Sequence, residues 1–305
     1  MRSSKINKLR KILLQIYLFI SSESIPKRLG YSKRTKLLII HADDLGLSNS
    51  ENTASIEAME KGMVNSGSIM VPCPKFQEMA NYSKTHPEAD MGIHLTLTCE
   101  WNSYKWKPIL PQNEIASIVD YNGFFFESVE KLVKNFIPNE IEKEFRAQIN
   151  QAIEYGIDLT HIDSHMLIAF SNYEIQKIFI ALGKEFKLPV LLSNKALNPS
   201  FDSRSELLVN RIYYAQPKHF SKGIDNYYRE VLKSIKPGLN CLLVHVALND
   251  KEMQEITMSQ PDYGSVWRQI DYDFFTSNEC HQLINNNNIK LITWREIRDK
   301  LIRNQ

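Results

Sequence analysis

The sequence has few cysteines and no motif built from them. Its 305 residues include four, Cys73, Cys99, Cys241 and Cys280, which are widely scattered with no CxxC pair. Zinc knuckles and dithiol redox sites place cysteines in closely spaced pairs, so neither is predicted. Four cysteines in a chain of this length do not make a disulfide scaffold, so they do not identify the cellular compartment.

Several catalytic and nucleotide-binding motifs are also missing. The chain contains no Walker loop and no GxGxxG, HExxH or GxSxG element. Nucleotide cradling, zincin chemistry and serine hydrolysis therefore have no support. There is no internal repeat, and no linker rich in proline or glycine divides the body of the chain. Because 43% of the residues are hydrophobic, a packed core is expected, and we predict a single domain over residues 25–305.

Outside its first 35 residues the chain lacks an excess of positive charge. The formal net charge is +2, but those residues hold nine of the 37 lysines and arginines and one of the 35 acidic residues. The remainder has 28 basic and 34 acidic residues, a net charge of −6. A nucleic-acid binder needs a basic face to meet phosphates, so no nucleic-acid partner is expected.

Residues 1–24 have the composition of a secretory signal peptide. Basic residues precede a mostly apolar run over residues 12–20, and small residues follow at 21–24. Nine residues are too few to span a bilayer, so no transmembrane span is predicted. The alternative is an amphipathic helix that packs on the domain or on a membrane surface. We expect export to the periplasm or cell surface if the segment is a signal peptide, and a cytoplasmic location otherwise.

Short apolar runs alternate with helical patterns along the body of the chain. The predicted strands are 36–41, 66–71, 91–97, 159–163, 189–193, 241–246 and 290–293. This alternation is typical of a mostly parallel sheet or barrel with helices outside. Seven strands are one short of a closed eightfold barrel. The sequence therefore predicts the α/β class, as a distorted or incomplete (β/α) barrel of about seven mostly parallel strands.

Two helices are predicted from periodicity and from the residues at their ends. Over 140–155, apolar residues recur every four positions, Asn139 can cap the start, and Gly156 can close the end. A second helix runs from about Ser50 to Met59 and stops at Gly62. Residues 98–125 instead read as a long loop after a strand. In α/β barrels such loops at the carboxyl ends of strands build the active site.

Two adjacent carboxylates, Asp43 and Asp44, follow the first apolar strand. Like charges near the interior of a sheet repel each other unless a cation or a shared proton relieves them. A helix cap or a solvated turn is the alternative for such a pair. A functional interpretation therefore requires partners from elsewhere in the chain.

Histidines occupy matching places in later units. His94 lies in a strand that otherwise reads as core, and a short strand over 160–163 ends among His161, Asp163 and His165. In an extended chain, alternate residues such as 161, 163 and 165 point to the same face. Each histidine alone is compatible with a hydrogen-bonded core residue. Together, three clusters of aspartate and histidine at strand ends predict a metal site.

The predicted ligand set favours catalysis over structural binding. One aspartate and two histidines suit Zn²⁺ and tolerate other divalent ions, and three protein ligands leave a position open for water. Such an ion polarises a carbonyl and lowers the pKa of water, while a second carboxylate takes the proton. This would explain the Asp-Asp doublet, in which one residue binds the ion and the other acts as base.

The motifs IIHADDLGLS, MGIHLTLT and THIDSH resemble, in order and spacing, the signatures of the YdjC-like carbohydrate deacetylases. The similarity continues through GMVNSGSIMVPCP and FRAQINQAIEYG and covers most of residues 36–250. The resemblance implies a distorted (β/α) barrel, one divalent metal ion (Mg²⁺ or Zn²⁺), and hydrolysis of an acetyl group from an acetylated carbohydrate. It also makes a homodimer an option.

The resemblance assigns roles to individual positions. It implies that Asp44, His94 and His165 bind the metal and that Asp43 is the general base. It makes His161 and Asp163 residues that hold the ligands in orientation rather than ligands themselves.

The C-terminal match is less complete. His245 corresponds to the histidine of a strand in which proline usually follows, and here Val246 stands in its place. The resemblance implies that His245 is a general acid, and a buried strand histidine is the alternative.

The remaining candidates concern the substrate. Trp101, Tyr104 and Trp106 follow the His94 strand, where aromatic faces could stack on a sugar ring, and ordinary loop packing is the alternative. Arg268 and Asp271 are weaker candidates for substrate contact, with surface salt bridges as the alternative. Another metal-dependent amide or ester hydrolase on the same barrel, or a non-catalytic carbohydrate-binding relative, remains a rival function.

Overall fold

The computed structural model describes residues 24–193, 195–201 and 206–304. Seven strands form one parallel sheet in this part of the chain. They are β1 (Lys36–Leu45), β2 (Ser66–Ile69), β3 (Met91–Leu95), β4 (Ile162–Ser164), β5 (Arg211–Tyr214), β6 (Gly238–Val244) and β7 (Ile289–Leu291).

Helices connect the strands and cover the sheet. The α-helices are α1 (Ile25–Arg28), α2 (Asn49–Lys61), α3 (Phe76–Thr85), α4 (Val129–Asn135), α5 (Pro138–Glu154), α6 (Tyr173–Glu185), α7 (Pro217–Phe220), α8 (Ile224–Ser234), α9 (Lys251–Thr257), α10 (Ser265–Phe275), α11 (Asn278–Asn286) and α12 (Trp294–Ile297). Short 3-10 helices span Gln112–Glu114, Ala116–Ile118 and His165–Phe170, and a π-helix spans Arg298–Arg303.

The sheet curls into the predicted distorted barrel. Its strand order is β4-β3-β2-β1-β6-β5, and β7 pairs with the start of β1. Every strand pairing is parallel. The predicted fold class and the prediction of mostly parallel strands are thereby confirmed.

One predicted strand is wrong and one strand was missed. Residues 189–193 make only isolated bridges, from Val190 to Ile162 and from Ser193 to Val209. Pro189 lacks an N–H group and contributes only its carbonyl, to Ile162. The segment fills the gap between β4 and β5 without a continuous ladder. The missed strand, β5, is half exposed and so lacks the apolar run that marked the others.

Both predicted helices are confirmed to within a few residues. The segment predicted as 140–155 is α5, but the predicted cap Asn139 lies inside the helix, because Ile137 is the N-cap and Pro138 is the first helical residue. Gly156 follows the helix with φ of +83°, a left-handed conformation that glycine adopts without a side-chain clash. The helix predicted near Ser50 is α2, which ends at Gly62 as expected.

Alternate residues of the strands serve two different hydrophobic cores. In β1, Leu38 and Ile40 join the large cluster that packs against the helices. Leu37 and Ile39 join a second cluster with residues of β6 and α12 and with Ile292, which follows β7. Successive strand residues point to opposite faces, so this second cluster is the barrel interior.

The N-terminal prediction lies almost entirely outside the described residues, which begin at Ser24. The signal peptide and export therefore stay predictions, as does the homodimer. Among the helices of the described part, none is long and apolar enough to cross a membrane.

Candidate active site

Towards the carboxyl ends of the strands, the inward side chains change from apolar to ionisable. In β1 the inward positions run from Leu37 and Ile39 to His41 and Asp43, all of them buried. The same alternation places His94 of β3 opposite Asp163 of β4. Since the carboxyl ends of parallel strands meet at one edge, the polar residues gather there.

The Asp-Asp doublet reaches one site because β1 loses its alternation there. The register between β1 and β2 shifts between Ala42 and Leu45, and Asp44 has φ of +68°. Consecutive residues of a regular strand would point to opposite faces. The left-handed conformation of Asp44 lets both carboxylates line the same cavity. Such strain, about 1–3 kcal/mol per residue, is typical of functional sites.

The three predicted metal ligands converge. Asp44, His94 and His165 each offer a ligand atom, and these atoms lie within 4.8 Å of one another. Asp44 Oδ1 is 3.4 Å from His94 Nε2 and 3.1 Å from His165 Nδ1. One carboxylate oxygen with two imidazole nitrogens is a donor set that suits a divalent ion. The residues therefore fit the metal that the resemblance implies.

Each of these ligands is held from its far side by a charged residue. Asp163 Oδ1 lies 2.9 Å from His94 Nδ1, Glu100 Oε2 lies 2.9 Å from His165 Nε2, and Arg268 Nη2 donates to Asp44 Oδ2 at 2.8 Å. These contacts leave Asp44 Oδ1, His94 Nε2 and His165 Nδ1 directed at a common point.

The pKa shifts follow from this arrangement. Burial would raise the pKa of Asp44, but Arg268 and the two histidines outweigh it and hold that pKa well below its usual value. Burial would lower the pKa of His165, but Glu100 and Asp44 raise it to about 9. With no cation bound, the proton on His165 therefore relieves the repulsion between the carboxylates of Asp44 and Glu100. A cation bound by Asp44 and His165 would displace that proton.

The predicted base and acid face each other beside the ligand set. Asp43 Oδ2 lies 3.8 Å from His245 Nε2, and both residues line the cavity. Burial raises the pKa of Asp43 to about 7 and lowers that of His245 to about 3. Asp43 Oδ1 is buried without a hydrogen-bond partner among the described residues.

Asp271 supports His245 from outside the cavity. Its carboxylate accepts the backbone N–H of His245 at 3.0 Å and the hydroxyl of Tyr228 at 2.7 Å. Burial raises its pKa to about 7. Asp271 is completely buried, so the surface salt bridge considered for it is wrong.

His161 lies deeper in the barrel than the ligand set. Its Nδ1 lies 2.9 Å from the hydroxyl of Thr160, and its ring stacks on Trp294 with centroids 5.2 Å apart. Its ring also lies edge-to-face with that of His41, whose Nε2 is 3.0 Å from Asp163 Oδ2. His161 therefore contacts the ring of His41, and it is His41 that lies at hydrogen-bonding distance from Asp163.

The three aromatic candidates are not equivalent. Trp101 lines the cavity, whereas Tyr104 and Trp106 lie outside its lining. The Tyr104 hydroxyl donates to the carbonyl of Leu47 at 2.8 Å, and the Trp106 indole donates to that of Thr98 at 3.1 Å. These contacts correspond to the loop-packing alternative for Tyr104 and Trp106.

Arg268 is a central buried residue, not a surface one. It is 1% exposed, so the surface salt bridge considered for it is wrong. Besides Asp44, it donates to Glu51 Oε2 at 2.7 Å and to the carbonyl of Tyr263 at 2.7 Å. Although it borders the cavity, each of its three nitrogens already donates one hydrogen bond to a protein partner. Its contacts favour holding Asp44 over binding substrate.

Three residues of the site were not predicted from the sequence: His41, Glu51 and Glu100. His41 could have been found, because it shares the inward alternation of Asp43. Glu51 sits in the first turn of α2 and Glu100 in the loop after β3. Neither belongs to a pattern, so only the folded arrangement reveals them.

The cavity above these residues has a volume of about 260 Å³. Its wall is apolar and aromatic away from the ionisable cluster, formed by Trp101, Met166, Leu167, Tyr214, Leu243 and Tyr263. A concave site with apolar walls and a few convergent polar groups is the usual form of a small-molecule site.

Comparison with known proteins agrees with this geometry. Residues 37–286 match the model of the family described as YdjC-like protein. The chain is 28% identical over 260 residues to a carbohydrate deacetylase of Brevibacillus brevis, an alignment that covers 85% of this chain and 99% of the relative. It is also 28% identical over 288 residues to a carbohydrate deacetylase of Thermus thermophilus, covering 90% and 98%.

A solved structure shares the fold. It is a crystal structure of an Enterococcus faecalis protein provisionally described as a cellobiose-phosphate cleavage protein, with a TM-score of 0.73 and 26% identity. The match covers 86% of this chain and 99% of that one. From the family match, the curated relatives and the shared barrel, it follows that this chain belongs to the YdjC-like family.

Proposed function

We propose that the protein is a metal-dependent hydrolase that removes an acetyl group from an acetylated carbohydrate. The observation that carries the proposal is the convergence of Asp44, His94 and His165 beside Asp43 and His245 in one cavity. The names of the curated relatives support the substrate class. The substrate is an N-acetyl amino sugar oligosaccharide or an O-acetylated glycan.

In the proposed centre, Asp44 Oδ1, His94 Nε2 and His165 Nδ1 would hold one divalent ion, Mg²⁺ or Zn²⁺. When bound, the ion would polarise the acetyl carbonyl and acidify a water molecule. Asp163, Glu100 and Arg268 keep the three ligand atoms directed at that point.

Asp43 takes the proton of the attacking water in this proposal. Its Oδ1 makes no hydrogen bond, although it lies 3.3 Å from His41 Nε2, and its raised pKa suits a base that must accept a proton near neutral pH. His245, whose Nε2 lies 3.8 Å from Asp43 Oδ2, receives that proton from Asp43 and delivers it to the leaving nitrogen or oxygen. Because burial lowers its pKa to about 3, a His245 imidazolium formed during the reaction would release its proton readily.

The apolar wall positions the sugar. Trp101 and Tyr263 line the cavity, and aromatic rings are suited to packing against the C–H face of a sugar ring. At about 260 Å³, the cavity is slightly smaller than most ligand pockets, which span about 300–1,000 Å³. It would therefore enclose the acetylated unit and leave further units outside.

Acetate release tests the proposal. The purified protein would be assayed on chitooligosaccharides, acetylated xylan and aryl acetates, each with and without EDTA. We expect acetate from at least one carbohydrate, abolished by the chelator and restored by added metal. Release from aryl acetates alone would favour a general ester hydrolase. Absence of both acetate release and metal binding would favour a carbohydrate-binding relative.

A further inference from the structure

Glu100 is a largely buried carboxylate at the cavity that lies outside the sequence motifs and takes no part in the proton transfers of the proposed reaction. Its side chain is 9% exposed, and it lines the same cavity as the ligand set. Its Oε2 lies 2.9 Å from Nε2 of His165. A carboxylate in this position can determine which of the two ring nitrogens of His165 carries the hydrogen.

The backbone around Glu100 is anchored on both sides. The N–H of Cys99 donates to the carbonyl of Phe126 at 2.8 Å. Trp101 on the other side is buried at 1% exposure. The hydroxyl of Tyr104 then ties the loop to the carbonyl of Leu47. The carboxylate is therefore presented from a fixed segment.

The partners of His165 define its two nitrogens. An ionised carboxylate only accepts hydrogen bonds, so Nε2 must carry the hydrogen that faces Glu100. In the neutral ring, Nδ1 then carries the lone pair, and it faces Asp44 Oδ1 at 3.1 Å. His94 has the opposite arrangement, because its Nδ1 faces Asp163 and its Nε2 faces Asp44.

We propose that Glu100 is a positioning residue that fixes His165 as an Nδ1 ligand, while Asp163 fixes His94 as an Nε2 ligand. The inference rests on the metal centre of the proposed function. Carboxylates that hold a metal-binding histidine raise its basicity and set its orientation, and their loss typically weakens metal binding about 10–100-fold.

The test measures Zn²⁺ affinity of the full chain by calorimetry or chelator competition, without reference to catalysis. We expect Glu100→Ala to bind Zn²⁺ about 10–100-fold more weakly than wild type. Glu100→Gln, which keeps an acceptor oxygen, should lose less. Glu130→Ala, at a carboxylate that is 82% exposed, is the matched control and should bind as wild type does.

Thermal midpoints of the metal-free proteins separate positioning from a structural role. A lower midpoint with unchanged Zn²⁺ affinity in Glu100→Ala would overturn the inference and leave the metal centre intact. Failure of wild type itself to bind Zn²⁺ would instead overturn the metal centre, and the role of Glu100 with it.

A second measurement does not depend on any variant folding. Histidine ¹⁵N NMR of Zn²⁺-loaded wild type reports which ring nitrogen binds the ion. We expect coordination through Nδ1 for His165 and through Nε2 for His94. Coordination of His165 through Nε2 would overturn the inference even if the affinity of the variants were reduced.

Discussion

The lower and upper halves of the barrel interior use the same strands for opposite purposes. In the lower half, Leu37 and Ile39 of β1 belong to one hydrophobic cluster with Leu239 of β6 and with Trp294 and Ile297 of α12. In the upper half, the next inward residues of β1 are His41 and Asp43. The change occurs within two positions of one strand. The first part of the strand therefore contributes to stability, and its carboxyl end contributes the ionisable groups of the site.

The two halves also differ in how burial is compensated. Apolar side chains of the lower half gain free energy on leaving water. Ionisable groups of the upper half lose hydration and require partners. Most have them, but Asp43 Oδ1, Glu51 Oε1 and His161 Nε2 have no hydrogen-bond partner among the described residues, and a buried group left without a hydrogen bond costs about 1–3 kcal/mol. The lower half stabilises a barrel that carries these unpaired groups.

The largest expected effect comes from the upper half. Asp43→Asn keeps the shape of the side chain and removes its basicity, so we expect kcat to fall by about 10²–10⁴-fold while the metal is retained. Rates of acetate release and metal analysis of the same sample measure the two quantities.

Asp273→Asn, at an exposed position on α10, is the control for Asp43→Asn and should keep the parent rate. If Asp43→Asn hydrolysed acetylated sugars as fast as the parent, the base assignment would be wrong.

The second prediction concerns a substitution that disrupts packing in the lower half. Ile39→Ala should reduce the free energy of unfolding by about 2–5 kcal/mol, because it opens a cavity in a close-packed interior. Chemical denaturation measures the change, and metal stoichiometry of the folded protein should stay constant. Ile153→Ala makes the same substitution where the side chain is 47% exposed. Equal destabilisation by the two variants would contradict the assignment of stability to the lower half.

The smallest expected effect is on metal affinity and comes from substitution of Asp163, which lies between the two halves. Asp163 accepts from His94, from His41 and from the Ser68 hydroxyl. Asp163→Asn keeps its volume but weakens its hold on His94, so metal affinity should fall about 10–100-fold. Calorimetric titration with Zn²⁺ provides the measurement, with Asp273→Asn again as control. Wild-type affinity in Asp163→Asn would remove Asp163 from the support of the centre.

The sequence predicted the barrel because apolar runs and helical periodicity are local signals. It failed at 189–193 and 211–214, where a few bridges and a half-exposed strand depend on neighbours far away in the chain. The motifs and the strand-end positions predicted Asp44, His94 and His165 as metal ligands, and the fold brings these three residues together. Glu100 and Glu51 were not, since their importance arises only from contacts across the fold.

The Asp-Asp doublet shows the same limit. Two carboxylates after a strand indicated a site, but the sequence could not say how neighbours in a strand reach one cavity. The left-handed conformation of Asp44 supplies the reason. Arg268 likewise read as a surface residue, because an arginine on a helix gives no local sign that it will be buried against a carboxylate.

The most direct test of the account is an anomalous-scattering map from crystals grown with Zn²⁺. We expect one strong peak bonded to Asp44 Oδ1, His94 Nε2 and His165 Nδ1, at the distances of about 2.0–2.2 Å usual for zinc. A map without a peak at that point, or with the three side chains turned away from it, would contradict the account.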